Sequence, residues 1–220
     1  MTEQMNDVRA ITIFCGAASG AGTKYQETVA NVGRYLATQR IRIVYGGAAT
    51  GLMGVLADAA LECGGSVTGV LPRELAEHEV EHRGLTDLHL VDGMHERKAL
   101  MARFGDAFLV LPGGFGTADE MFEIVTWSQL GLHAKPVGLL NVQGYFDLLL
   151  EWIRRACQDG FVHGDVAERL LVSGSLPKLL KIFREYRPAP ALFERLSSTE
   201  TETRVQDLRS ETTDVEKVLP

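Results

Sequence analysis

The sequence predicts an α/β fold, a Rossmann-like parallel sheet flanked by helices within a single domain, on three observations. Apolar runs of strand length alternate with helical stretches, three of those runs empty into glycine-rich turns, and no internal repeat interrupts the alternation. The 220 residues are 45% hydrophobic, enough to bury one sizeable core.

Taken in order, strands are expected near 10–15, 41–45, 66–71, 86–91, 107–111, 136–140 and 169–173, with helices between most of them. The first ends in Phe14-Cys15-Gly16-Ala17-Ala18-Ser19-Gly20. The second, Ile41-Arg42-Ile43-Val44-Tyr45, closes on Gly46-Gly47, and Gly51-Leu52-Met53-Gly54 then opens a helix running to Cys63. Pro72 ends the third strand, and the charged stretch from there to Arg83 is expected as a loop or short helix over a site. Residues 1–187 form the expected domain. The Arg187-Pro188-Ala189-Pro190 sequence breaks the last helix, and 188–220, rich in Ser, Thr, Glu and Arg, is expected to be a disordered tail.

Composition excludes several classes. A net charge of −7 has the wrong sign for a nucleic-acid-binding surface. No apolar run approaches a membrane span, and the first fifteen residues lack the basic-then-apolar pattern of an export signal, so a cytoplasmic protein with no membrane partner is expected. Three cysteines, Cys15, Cys63 and Cys157, form no C-x-x-C pair, against a disulfide framework or zinc knuckle.

The most informative run is Leu109-Val110-Leu111-Pro112-Gly113-Gly114-Phe115-Gly116-Thr117-Ala118-Asp119-Glu120, a strand emptying through glycines into a helix. Glycines let backbone approach a ligand, and the first N–H groups of a helix have no intrahelical partner, so a phosphate can supply one. The same letters also fit a capping box, Thr117 capping the helix and Glu120 reaching back to its N–H, and such a cap can coexist with a ligand seat. Neither G-x-G-x-x-G nor a Gly-Lys-Ser/Thr loop is present. In an open parallel sheet all such turns lie at the carboxyl ends of the strands, where ligands bind.

A third segment, Asp92-Gly93-Met94-His95-Glu96-Arg97-Lys98-Ala99-Leu100-Met101, sets adjacent cations near a helix start, where the macrodipole favours acids. A bound phosphate accounts for them, and so does an ordinary solvated face.

Together these segments resemble the LOG family of cytokinin-activating nucleoside 5′-monophosphate phosphoribohydrolases, often mislabelled lysine decarboxylases. The P-G-G-x-G-T-x-x-E pattern is met by Pro112, Gly113, Gly114, Gly116, Thr117 and Glu120; M-H-x-R-K-x-x-M is met by Met94, His95, Arg97, Lys98 and Met101. The similarity runs from about Ile11 to Tyr186. Where many relatives carry a serine pair after the first glycine, this chain has Ala17-Ala18, so a hydroxyl contact there is either lost or moved to Ser19.

The resemblance implies hydrolysis of the N-glycosidic bond of adenine-type nucleotides, AMP or N6-substituted relatives, to free base and ribose 5-phosphate. It implies Arg97 and Glu120 as the catalytic pair, with phosphate on Gly113, Gly114, Gly116 and Thr117. Gly16, Ser19, Gly46, Gly47, Met94 and Lys98 would line the rest of the nucleotide site. No cofactor and no metal are called for. A homodimer is implied, and the apolar positions Met121, Ile124, Val125, Trp127 and Leu130 serve either as its interface or as core.

Three other readings stand beside this one. A nucleotide or cofactor carrier can use the same glycine turns without catalysis. His78-Glu79-Val80-Glu81-His82 satisfies H-E-x-x-H literally, but its flanks are charged and no third zinc ligand follows at a known spacing. Lysine decarboxylation needs a Schiff-base lysine for pyridoxal phosphate, and Lys98, the only lysine near a motif, sits beside Arg97 as a phosphate cation would.

Overall fold

A computed structural model describes residues 6–77 and 80–189 of the chain. Its strands are β1 (Ala10–Phe14), β2 (Arg42–Tyr45), β3 (Val67–Pro72), β4 (Asp87–Val91), β5 (Ala107–Val110), β6 (Val137–Leu140) and β7 (Leu170–Ser173). They interleave with helices α1 (Lys24–Thr38), α2 (Gly51–Glu62), α3 (Arg73–Glu77), α4 (Met94–Phe104) and α5 (Phe115–Gln129), followed by α6 (Asp147–Gln158), α7 (Gly164–Ala167) and α8 (Leu176–Glu185). All the strand pairings are parallel, in the order β4-β3-β2-β1-β5-β6-β7. The Rossmann-like sheet expected from the sequence is therefore present.

The apolar runs of the inner strands β1, β2, β3, β5 and β6 reflect burial on both faces, as a parallel sheet covered by helices requires. Along β1, Ile11 and Ile13 pack into one core with Val29 and Leu36 of α1, Leu52 and Leu56 of α2, and Leu179 and Phe183 of α8. Ala10 and Phe14 alternate into the other, with Met101 of α4, Met121 and Ile124 of α5, and Phe146. Met121 and Ile124, each 1% exposed, thus belong to the core and are withdrawn from the expected interface stripe. Helical spacing gives the reason: positions 117, 120, 121 and 124 share the face that α5 turns inward.

Chain order determines where a ligand can enter. From β1 the chain winds outward to β4 and then returns to place β5 on the other side of β1. At this switch point the connections leaving β1 and β5 run to opposite faces of the sheet and open a crevice at their carboxyl ends. Two hydrogen bonds hold its lips together, Leu111 N–H to the Phe14 carbonyl at 2.9 Å and Gly16 N–H to the Pro112 carbonyl at 3.1 Å.

At the far end of the domain the N-terminal segment clamps α8. The Asn6 side chain donates to the Tyr186 carbonyl at 2.9 Å, and its N–H to the Arg184 carbonyl at 2.8 Å. Most of the expected tail, 190–220, lies outside the described residues. No helix among the described residues is long and apolar enough to cross a membrane.

Candidate active site

A cleft of about 500 Å³ occupies the crevice. Its walls come from the turn after β1 (Gly16, Ala17, Ala18), from Gly46 after β2, from Leu52 and Met53 of α2, and from Arg97 of α4. The Pro112–Thr117 turn, Glu120, Tyr25 and Tyr145 form the rest, together with Ile13, Cys15 and Gly20. All three glycine turns singled out in the sequence therefore meet at one place.

The turn after β5 differs in detail from the capping-box reading. Helix α5 starts at Phe115 with Gly114 as its N-cap, and no side chain caps it. Thr117 is then the third helical residue and Glu120 the sixth, so Glu120 is too far along to reach back as a cap. Glycine is an accepted N-cap, which lets the helix begin earlier than a threonine cap would allow. One turn apart, Thr117 and Glu120 share the face of α5 that borders the cleft.

The glycines divide by role. A Cβ on Gly113 would collide with Thr117 Oγ1 and the Gly16 nitrogen, so Gly113 is needed for packing. One on Gly114 or Gly116 would meet nothing within 4 Å, and neither has a positive φ. Neither packing nor backbone conformation within this chain demands glycine there; what their bareness leaves is open approach to the helix N-terminus from the cleft.

Gly46 makes room for Arg97, whose Nη2 occupies the space a Cβ at position 46 would take. Burial leaves only 10% of the Arg97 side chain exposed. Its Nε donates to the Val70 carbonyl at 3.2 Å, and Nη1 lies 3.6 Å from Met94 Sδ. The remaining nitrogen, Nη2, stands 3.8 Å from Glu120 Oε1. Burial pushes the Glu120 carboxyl up to about 7; Arg97 opposes the rise, and the neighbouring Asp119 carboxylate adds to it. A carboxyl poised there can carry or release a proton at neutral pH.

Lys98, next to Arg97, points elsewhere. Its Nζ pairs with Asp119 at 3.0 Å and Glu123 at 2.9 Å, joining α4 to α5 beside the cleft rather than lining it. Burial disfavours its charge, but the two carboxylates more than offset this and hold its pKa above the usual value. No lysine lines the cleft among the described residues. Ser19, Gly47 and Met94 also fall outside the lining. Gly47, at φ +79°, turns the chain after β2 and accepts the His82 N–H at 2.9 Å.

Of the H-E-x-x-H letters, His78 and Glu79 lie outside the described residues. His82 Nε2 is 3.0 Å from Asp58 Oδ1, and its Nδ1 accepts the Gly84 N–H at 3.1 Å. No group of three His, Cys, Asp or Glu side chains among the described residues is arranged to hold a metal.

A family model described as "Possible lysine decarboxylase" matches residues 53–182. The cytokinin riboside 5′-monophosphate phosphoribohydrolase of Rhodococcoides fascians is 52% identical over 165 residues, covering 74% of this chain and 83% of the relative. The chain belongs to the LOG family. Another LOG protein, the cytokinin riboside 5′-monophosphate phosphoribohydrolase LOG of Oryza sativa subsp. japonica, is 43% identical over 187 residues, covering 84% of this chain and 77% of the relative. The LOG fold extends to more distant structures: the molybdenum cofactor carrier protein of Chlamydomonas reinhardtii superposes with a TM-score of 0.61 at 18% identity, covering 80% of this chain and 95% of that one.

Sequence reasoning missed Tyr25, Leu52, Met53, Phe115 and Tyr145 as cleft residues. Leu52, Met53 and Phe115 lay inside quoted motifs, and counting the residues beside each glycine would have flagged them. Tyr25 and Tyr145 stand 120 positions apart by sequence number, and nothing local joins them; in the structure their rings meet edge to face at 5.5 Å.

Proposed function

We propose that this protein hydrolyses the N-glycosidic bond of adenine-type nucleoside 5′-monophosphates, releasing the base and ribose 5-phosphate. The observation that carries this reading is the buried Glu120, held at a pKa of about 7 beside Arg97 and about one and a half helical turns from a helix N-terminus that no side chain caps. The α5 N-terminus and the Gly113–Thr117 turn take the phosphate, which brings C1′ toward Glu120. As the bond to the base breaks, positive charge develops at C1′ and the Glu120 carboxylate stabilises it. Water supplies its hydroxyl to C1′ and its proton, by way of Glu120, to the departing base. Arg97 binds and polarises the nucleotide, and Gly16 and Gly46 let it approach the backbone. Gly47 and Ser19 shape their turns, Met94 steadies the Arg97 guanidinium, and Lys98 braces α4 against α5.

Incubation of the purified protein with AMP and with its N6-isopentenyl derivative, with free base followed by chromatography, tests the reading. Nucleotide binding without base release would instead select a carrier. A cytosolic setting accords with the three free cysteines.

The anion seat has its own test. Gly116→Ala adds a methyl group that meets nothing in the protein, at a helical position where alanine is favoured by up to ~1 kcal/mol. The melting temperature should hold or rise while the KM for the 5′-monophosphate increases about tenfold or more; an unchanged KM would remove the phosphate from this turn.

The assembly is proposed to be a homodimer through α5 and α6. Leu148 and Trp152 are 81% and 57% exposed, and Phe122 packs edge to face on Trp152 at 5.8 Å, an apolar patch of the kind that marks an interface. Light scattering should give twice the chain mass, and Trp152→Glu should halve it; a monomeric parent protein would contradict the assignment.

A further inference from the structure

The Pro112-Gly113-Gly114 turn has three successive carbonyls, and each accepts a hydrogen bond. Gly16 N–H takes the Pro112 oxygen at 3.1 Å, and Ala118 N–H takes the Gly114 oxygen at 3.0 Å. Between them the Gly113 oxygen is taken by a side chain, the Tyr145 hydroxyl, at 2.5 Å. The outer two donors are backbone groups fixed by the sheet lip and the first turn of α5. Only the middle one depends on a side chain, and it comes from a different segment 32 positions away.

This middle bond acts on the weakest joint of the turn. A peptide between two glycines is the least hindered of all, because neither neighbour has a Cβ to restrict φ and ψ. The peptide unit is planar, so the direction of the Gly113 carbonyl also sets that of the Gly114 N–H, which points the opposite way. A flip of this one unit would turn a carbonyl oxygen toward the place where the N–H had pointed, and an anion seat would become a repulsive one.

Tyr145 is itself firmly presented. Gln143 and Gly144 take positive φ values of 50° and 75°, forming a tight turn before it. Asn141 ties that turn, accepting the Phe146 N–H at 2.9 Å and donating to Asp147 Oδ1 at 2.7 Å. The Tyr145 ring is flanked edge to face by Phe146 at 4.8 Å and Tyr25 at 5.5 Å.

We infer that Tyr145 is a positioning residue of the phosphate seat, its hydroxyl locking the Gly113–Gly114 peptide so that the α5 N-terminus presents N–H groups, not a carbonyl, to the 5′-phosphate. The inference rests on the nucleotide reading given above. It assigns Tyr145 a share in discriminating nucleotide from nucleoside, without contact with the reacting atoms.

Tyr145→Phe removes the hydroxyl and keeps the ring. Binding is measured by calorimetry in a Glu120→Gln background, where turnover does not interfere, with AMP, adenosine and inorganic phosphate as probes. The loss of one hydrogen bond corresponds to about a three- to tenfold effect. AMP and inorganic phosphate should weaken by that factor and adenosine should not change. With Glu120 intact, Tyr145→Phe should raise the KM for AMP by the same factor and leave kcat within about twofold. Equal losses for AMP and adenosine would make Tyr145 a wall of the base pocket and overturn the inference. So would an unchanged ratio of the two affinities while the parent still prefers AMP. A parent that binds AMP and adenosine equally has no phosphate seat, and the proposed function falls with the inference.

Discussion

Glu120→Gln is expected to reduce base release by about 10²–10⁴-fold, the range for loss of a positioned acid–base group, while leaving the fold intact. Because Glu120 is the sixth residue of α5 and caps nothing, the substitution removes a charge without disturbing the helix start. The same change should stabilise the protein in alkali. The folded-state pKa of Glu120 is raised to about 7 from an ordinary 4.5, so the folded state holds this proton more tightly than the unfolded chain. Its contribution to stability is present below 4.5 and is lost as the pH rises through about 7. The Gln variant should therefore melt above the parent at about pH 8, with the gap closing toward acid. If the carboxylate is the working form, parent turnover should rise along a limb centred near 7. A folded variant with near-parental turnover would sink the assignment.

Arg97→Ala is expected to damage the fold as well as turnover. It removes one partner of a buried charge pair, so at a pH above the Glu120 pKa the carboxylate is left without compensation and stability falls. It also strips the Val70 carbonyl of its donor. Turnover should fall on the order of 10²–10³-fold, as when a preorganised electrostatic contact is deleted. A second readout separates this from general loosening. Arg97 is the main influence opposing the raised Glu120 pKa, so the midpoint of the residual pH profile should move above about 7. Arg97→Lys, which keeps the charge, should move it less. A midpoint that stays in place would show that the two groups are not electrically coupled.

The sheet was legible because its signals are local: each buried strand is an apolar run, and a glycine turn marks the exit from β1, β2 and β5. The convergence of those turns followed from the rule that parallel strands share one carboxyl edge. The exact start of α5 was not legible, because Thr117 and Glu120 fit a capping box by spacing alone. Nor was the fate of Lys98. Asp119 and Glu123 stand at a helical i,i+4 spacing, but only the docking of α4 against α5 decides that both face this lysine. The same docking sends Met121 and Ile124 to the core. Tyr25 and Tyr145 depend on contacts between segments far apart in the chain, which no periodicity records.

The Arg97 guanidinium fills the space beside the Gly46 backbone, and this limits the order in which the sequence can change. With Arg97 present, any side chain at position 46 must evict the guanidinium, so Gly46 is frozen. Once Arg97 is lost the tight neighbour that remains is the flexible Met53 side chain, whose Sδ would lie 3.1 Å from the new Cβ, and a methyl group at position 46 becomes structurally tolerable after a small shift. A lineage that fills position 46 then blocks the return of arginine at position 97, since both cannot occupy the same volume. The pair acts as a ratchet: descendants of such a protein can keep the fold while the route back to an arginine–glutamate site is sterically closed.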